Sequence, residues 1–368
     1  ACLAISLILS LLLHTAINIE FWALAMFVFA CVFCITLVLA FKNVSLKIEY
    51  MFLIFALSVG SYIAVFCPIS SGISWDDQIH YLNALSTSQV VNPEYSFGER
   101  VFDEPTNDGV EFKKAFNAGV TETNQDTRQS GDDLLNNLDC QGYERIPTGS
   151  MPCKIALSQA SFSYISSAAG LWLARLFHVP LSIQVIFGRL FNLFFYVLIV
   201  FVALRITPVK KTLFAAISLI ATMVFLAANF AYDPFLYAML LLGLSMTLKF
   251  RYSKDKSIQT SQVLAILIVF TIGFSPKAIY VLLLGVMFIV PKSKFVSKAN
   301  YAKYIGSIFG FGFFTLITFV LPFFITGGSN VSDVRGGADV NAVGQLAFIL
   351  GSPFSYLSIL GDSLIGWL

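Results

Sequence analysis

A chain of 368 residues that is 57% hydrophobic and only 12% charged, with a mean hydropathy of +0.79, lies far outside the range of soluble globular proteins. Its apolar residues, 37 Phe among them, come in blocks of about 20, the length of a membrane-crossing helix, and not in the short alternating segments of a membrane barrel. No Gly-rich nucleotide loop, short-period repeat or soluble domain stands out; the net charge is +2, and no nucleic-acid partner is expected.

The chain opens on Ala and stops at "LIGWL" within an apolar run, and is therefore read as lacking a C-terminal part. Its first block, "CLAISLILSLLLHTAI", has neither the basic start nor the small-residue cleavage site of a signal peptide, and counts as a span. Spans are expected at 2–18, 20–41, 49–68, 181–204, 212–231, 235–250, 261–275, 278–291 and 304–325. The fold class is thus all-α, a polytopic helical membrane protein of about nine to eleven membrane helices. Two extra N-terminal spans (1–48) precede a core (49–368).

Charge orients these spans. Alternate loops carry Lys42 and Lys47, then Arg205, Lys210 and Lys211, then Lys249, Arg251, Lys254 and Lys256, then Lys292, Lys294, Lys298 and Lys303. These are 13 of the 23 basic residues, and the positive-inside rule makes their side cytoplasmic. The long segment 69–155 holds 14 of the 21 acidic residues against six basic ones and is the large exterior loop. Block 156–177, "ALSQASFSYISSAAGLWLARLF", would break the alternation as a full crossing. It is read as an interfacial or re-entrant helix, the alternative being a true crossing paired with a missed one.

Ionisable groups at membrane depth each cost about 2.5 to 3.5 kcal/mol and need a partner or a purpose. Arg189 is expected about 12 Å inside its span, counted at the helical rise from residue 181. Asp233 and Lys277 sit at exterior turns, with Asn192 and Asn229 near the same level. Together with Asp76 and Asp77 they suggest one polar cavity open to the exterior; as plain turn residues, Asp233 and Lys277 would pair with each other or with Arg189. In "ISWDDQIHYLNA" the Ser74/Asp77 spacing of a capping box starts a helix at Trp75, with Trp75, Ile79 and Leu82 on its apolar face. Asp76, Asp77, His80 and Asn83 then take the remaining faces, over the mouth of the cavity. Macrodipole stabilisation of a helix N-terminus explains the two aspartates equally well. Cys140 and Cys153 share the exterior loop, where a disulfide is chemically permitted.

The motif "SWDDQIHYLNA" resembles the D-[DE]-x-x-H pattern after the first core span of the bacterial membrane proteins called domain of unknown function 2142. "FGRLFNLFFY", "AANFAYDPF" and "SPKAIYVLLLGVMFIVPKSKF" continue the likeness over roughly 50–368; Asp77 stands where Glu is more usual, and "SPKAIY" lacks the Pro often found after the Lys. That family is similar in layout to the GT-C membrane glycosyltransferases, which use polyprenyl-phosphate sugars and carry an acidic motif in the first exterior loop. The resemblance implies transfer from a polyprenyl-phosphate-linked sugar donor to a glycan acceptor of the cell envelope, within membrane lipid. Asp76 or Asp77 would be the catalytic base and His80 would orient it; Lys277 and Arg189 would meet the phosphate, Asp233 would hold Arg189 or the acceptor, and Asn192 and Tyr280 would line the site. Asp76, Asp77 and His80 could also hold a divalent metal, which only some GT-C branches use; no cofactor is otherwise implied. The other readings are a lipid-linked sugar flippase or small-solute transporter, and a non-catalytic scaffold of an envelope polysaccharide complex.

Overall fold

The structure, a computed structural model, describes residues 28, 31, 35, 47–67, 77–90, 94–96, 143–145, 159–253, 259–325 and 342–366. In chain order its helices are α1 (Ile48–Phe66), α2 (Asp77–Gln89), α3 (Ile165–Leu176), α4 (Leu181–Ile206), α5 (Lys211–Ser218), α6 (Ala221–Ala227), α7 (Asp233–Tyr252), α8 (Thr260–Gly273), α9 (Lys298–Ile325), α10 (Ala342–Gly351) and α11 (Pro353–Gly366). Three 3-10 segments, Gln159–Tyr164, Ala278–Ile289 and Lys292–Lys294, connect them. A two-stranded antiparallel ribbon pairs β1 (Glu94–Ser96) with β2 (Tyr143–Arg145), Tyr95 opposite Glu144. Among the described residues, α1, α4, α7 and the Lys298–Phe319 part of α9 are long and apolar enough to cross a membrane, and α8 and Ile279–Ile289 are shorter apolar helices. The chain is an all-α polytopic membrane protein. It divides into a large unit, Ala1–Leu316, and a small one, Ile317–Leu368, whose helices α10 and α11 pack on each other.

Local signals account for the main helices. Pro234 stands in the first turn of α7 beside Asp233, and Lys249 and Arg251 close its last turn, so both ends complement the helix dipole. A reciprocal capping box between Gln259 and Gln262 starts α8. Lipid is as apolar as the helix faces, so association rests on close packing. Accordingly, α1 buries Ala56, Gly60 and Ala64, small residues four apart, towards the neighbours that include Leu193 of α4. Helices α1, α4, α5, α6 and α7 share one core around Phe52, Leu193, Tyr196, Val200 and Leu241. A second core joins α8, Ala278–Ile289 and α9 through Phe270, Phe274, Met287 and Tyr304.

Two expected spans have a different form. The apolar run 212–231 is not one helix but α5 and α6, eight and seven residues long, parted at Leu219 and Ile220. The break is stabilised from another helix: the Tyr196 hydroxyl of α4 donates to the Ser218 carbonyl at 2.7 Å, satisfying an acceptor that the interrupted ladder releases. The run 278–291 forms a 3-10 helix over Ala278–Ile289, with Val281, Leu284, Met287 and Val290 buried at a period of three.

Block 156–177 is the 3-10 turn Gln159–Tyr164 followed by α3, which folds back against α4 through a tight turn where His178 has φ 52°. Gln184 of α4 donates to the Val179 carbonyl across that turn at 2.9 Å. The approach is close: a Cβ on Gly170 would collide with the Phe187 carbonyl, and one on Gly188 would lie 2.6 Å from the Phe230 ring. Helix α2 packs on α3 in turn, burying Tyr81, Ala84 and Leu85 with Leu171, Leu181, Val185 and Phe230.

Candidate functional site at the Cys67 end of the bundle

The register of helix ends decides where the polar residues lie. Arg189 donates from Nη1 to the carbonyl of Cys67, the residue that caps α1, at 3.1 Å. Three residues on, the Asn192 amide donates to the carbonyls of Asn229 (2.6 Å) and Ala231 (3.2 Å), in the segment that leads into α7, while its oxygen accepts from Ser166 of α3 at 3.0 Å. Helix α4 therefore runs about 12 Å past the end of α1 before it reaches Leu181. Arg189, eight residues into the candidate span Leu181–Ile206, is level with the end of α1. Arg189 and Asn192 are each 1% exposed and act as ties between helix ends. The block α2–α3 packs on the part of α4 that projects beyond them.

Above this layer lies an aromatic and charged cluster. His80 is buried, and its Nδ1 is 2.7 Å from the Tyr164 hydroxyl. Helix α2 turns His80 and Tyr81 inward, onto Tyr164 of the 3-10 turn and the α3 core. Tyr232 meets the His80 ring edge-on at 5.2 Å, and the Tyr164 and Tyr232 rings are 6.4 Å apart. The Lys277 ammonium sits 5.0 Å from the centre of the Tyr232 ring. Its hydrogen bond to the Tyr232 side chain outweighs desolvation and, with the nearby Asp233 and Tyr280, holds the lysine above its ordinary pKa. Burial pushes the Tyr164 hydroxyl up, Asn83 opposes that by hydrogen bonding, and Tyr232 and Asp233 add to it; Tyr164 is a neutral phenol at any working pH.

His80, Asp233, Lys277 and Tyr280 lie around the Tyr164 and Tyr232 rings, and Arg189 and Asn192 tie the helix ends nearby. Asp233 acts through its charge on Lys277 and Tyr164, and Arg189 donates to the Cys67 carbonyl. Tyr164 and Tyr232, the rings that join His80 to Lys277, were not singled out in the sequence. The one available signal was that each is a tyrosine beside a polar residue at a segment end, "FSYIS" and "AYDPF". The Oδ1 of Asn229 and the Oγ of Ser275 are buried with no hydrogen-bond partner among the described residues. Such atoms cost about 1 to 3 kcal/mol each unless water or a ligand meets them.

Helix α2 begins at Asp77, and Ser74, Trp75 and Asp76 lie outside the described residues, as do Cys140 and Cys153. Among the described residues no three His, Cys, Asp or Glu side chains gather as metal ligands; of the expected trio only the His80 side chain is described.

An apolar cleft of about 350 Å³ opens between the 3-10 helix and α9. Val281, one of its walls, follows Lys277 by four residues, and Gly285 and Gly312 deepen it. Leu282 and Phe313, two of its walls, are exposed. An ammonium four residues before the first wall of an apolar cleft is an amphipathic sequence of groups, suited to a ligand with an anionic head and a hydrocarbon tail.

The profile of the family described as Predicted membrane protein (DUF2142) matches residues 57–366. No curated protein and no solved structure matches the chain.

Proposed function

The chain belongs to the DUF2142 family of predicted membrane proteins, and from that premise we propose that it is a GT-C-type glycosyltransferase. It moves a sugar from a polyprenyl-phosphate donor to a glycan acceptor of the cell envelope, on the exterior face of a bacterial plasma membrane. The observation that carries this reading is the juxtaposition of Lys277, on its Tyr232 platform, with the apolar cleft that starts at Val281. Such a site takes a lipid phosphate by the head and the tail at once. Transfer breaks the bond between the sugar's anomeric carbon and the lipid phosphate and forms one to an acceptor oxygen. It needs a base for the acceptor proton and a cation for the leaving phosphate.

Lys277 supplies the cation. Asp76 or Asp77 supplies the base. The neutral Tyr164 phenol and the His80 ring, bonded to each other, anchor α2. Asp233 positions Lys277 and the acceptor. The exterior orientation rests on the basic loops at the opposite end of the bundle. A flippase or solute transporter places its charges near the bilayer midplane, whereas this cluster stands where α1 ends and α7 begins.

The test is to express Asp76→Asn, Asp77→Asn and Lys277→Ala variants in a deletion strain and compare lipid-linked intermediates and envelope glycans. One aspartate variant should abolish the transferred sugar while the lipid-linked donor accumulates. Lys277→Ala should weaken donor binding at least tenfold. Wild-type glycan from both aspartate variants would overturn the catalytic reading.

A further inference from the structure

The opposite end of the bundle carries a second cleft, unrelated to the cluster above. It holds about 240 Å³ between the start of α8 and the first four turns of α9. Its lining is sorted by height. Thr260, Asn300 and Lys303, all exposed, form a polar rim within the first turn or two of their helices. Leu264 and Leu267 lie about 6 and 10 Å deeper along α8, and Phe311 about 12 Å deeper than Lys303 along α9.

The charge of the surroundings is predominantly positive, with Asp255 the acidic residue of the loop before α8. Lys292, Lys294 and Lys298 stand on the same side, and residues 291–304 contain no acidic residue. Two of the cations around the cleft are already committed: Lys292 lies 5.5 Å from the Tyr301 ring centre, and Lys294 donates to the Ser253 carbonyl. Lys303 is the lysine that lines the cleft itself. A bare phosphate would be met by the rim but would leave the wall of Leu264, Leu267 and Phe311 unfilled. A neutral lipid would fill the wall but leave the lysine unpaired. A basic rim above an apolar slot, on the side that the positive-inside rule makes cytoplasmic, matches a lipid with a net negative head group.

We infer that this cleft is a binding site for an anionic phospholipid of the cytoplasmic leaflet, the phosphate on Lys303 and Asn300 and one acyl chain along Leu264, Leu267 and Phe311. The site is independent of the proposed transferase reaction and stands or falls separately from it.

The test uses the full chain, purified in detergent and delipidated, titrated with dioleoyl phosphatidylglycerol or dioleoyl phosphatidylcholine, and read by native mass spectrometry and by thermal shift. The wild type should bind phosphatidylglycerol at least about fivefold more tightly than phosphatidylcholine. Lys303→Glu should erase that preference, whereas Lys298→Glu, outside the cleft lining, should keep most of it. Leu264→Trp, which fills the slot and leaves every charge in place, should weaken phosphatidylglycerol binding about as much. If Leu264→Trp fails to fold, Asn300→Asp puts a carboxylate on the rim at constant volume and should also lower the preference. Equal binding of the two lipids by the wild type overturns the inference, and so does an undiminished preference in Lys303→Glu. Displacement of phosphatidylglycerol by glycerol 3-phosphate at comparable concentration would likewise overturn it, since the site would then bind a soluble anion.

Discussion

At the Cys67 end of the bundle His80, Arg189 and Asn192 are inside and bonded to neighbouring groups; at the Lys303 end Lys292, Lys298 and Lys303 are outside. Asn192 spends its amide on two carbonyls and a hydroxyl at positions no water reaches, and Arg189 ties α4 to the end of α1. Of the lysines at the other end, Lys303 is exposed, Lys292 lies over the Tyr301 ring and Lys294 donates to the Ser253 carbonyl, and the interior below them is closed by Tyr304 and Met287, the tyrosine hydroxyl donating to the Met287 carbonyl at 2.7 Å. A charge count treats the two ends as equals. Their environments do not: a buried polar group must be satisfied by designated partners, so it fixes geometry, whereas a solvated one mainly sets the sign of a surface.

The sharpest way to break this comparison is at Asn192. Replacement by the nearly isosteric Leu strands the Asn229 and Ala231 carbonyls and the Ser166 hydroxyl together, and should lower stability by about 3 kcal/mol. Unfolding of the purified protein in mixed micelles should show that loss, and a value under about 1 kcal/mol would mean that water replaces the amide freely. Next in size is a pair of glycines. Gly170→Ala drives a methyl into the Phe187 carbonyl and should cost about 2 kcal/mol. Gly306→Ala, on α9 near the basic end with nothing within 4 Å of the new Cβ, should stabilise by up to about 1 kcal/mol through helix propensity. The same chemical change therefore has opposite signs at the two ends, and thermal shifts of the two variants measured side by side check it.

The smallest effect concerns Lys277. Its pKa is raised in the folded protein, so the stability it contributes is complete below the ordinary lysine value of 10.5 and is lost only as pH rises through the higher folded value. Between neutrality and pH 10 the cluster should show no change from this group. Competitive acetylation across alkaline pH should find Lys277 titrating later in the wild type than in Tyr232→Phe, which lacks the hydroxyl bonded to it.

What could be read ahead of the structure follows the range of the interactions. Apolar blocks announced α1, α4, α7 and α9 to within a few residues, because lipid imposes a length on every crossing helix. The break between α5 and α6 was invisible, since the hydroxyl that satisfies it comes from Tyr196, 22 residues away on another helix. His80, Asp233 and Lys277 were conspicuous as ionisable groups at the margins of oily segments. Tyr164 was not: a tyrosine among Ser and Ile looks like interface packing until the fold brings it to a histidine 84 positions earlier.

The 3-10 form of Ala278–Ile289 has a mechanical consequence. With three residues per turn the chain behaves as a stretched spring: twelve residues cover about 24 Å, where α-helix would cover about 18 Å. Its teeth are in strict file, Val281, Leu284 and Met287 inward and Ile279, Leu282 and Phe288 outward. Rewinding to α would shear that file by about 20° per residue and draw Lys277 some 6 Å along the axis, beyond contact with the Tyr232 ring. The height of the cation above the apolar cleft is therefore set by the pitch of this one segment.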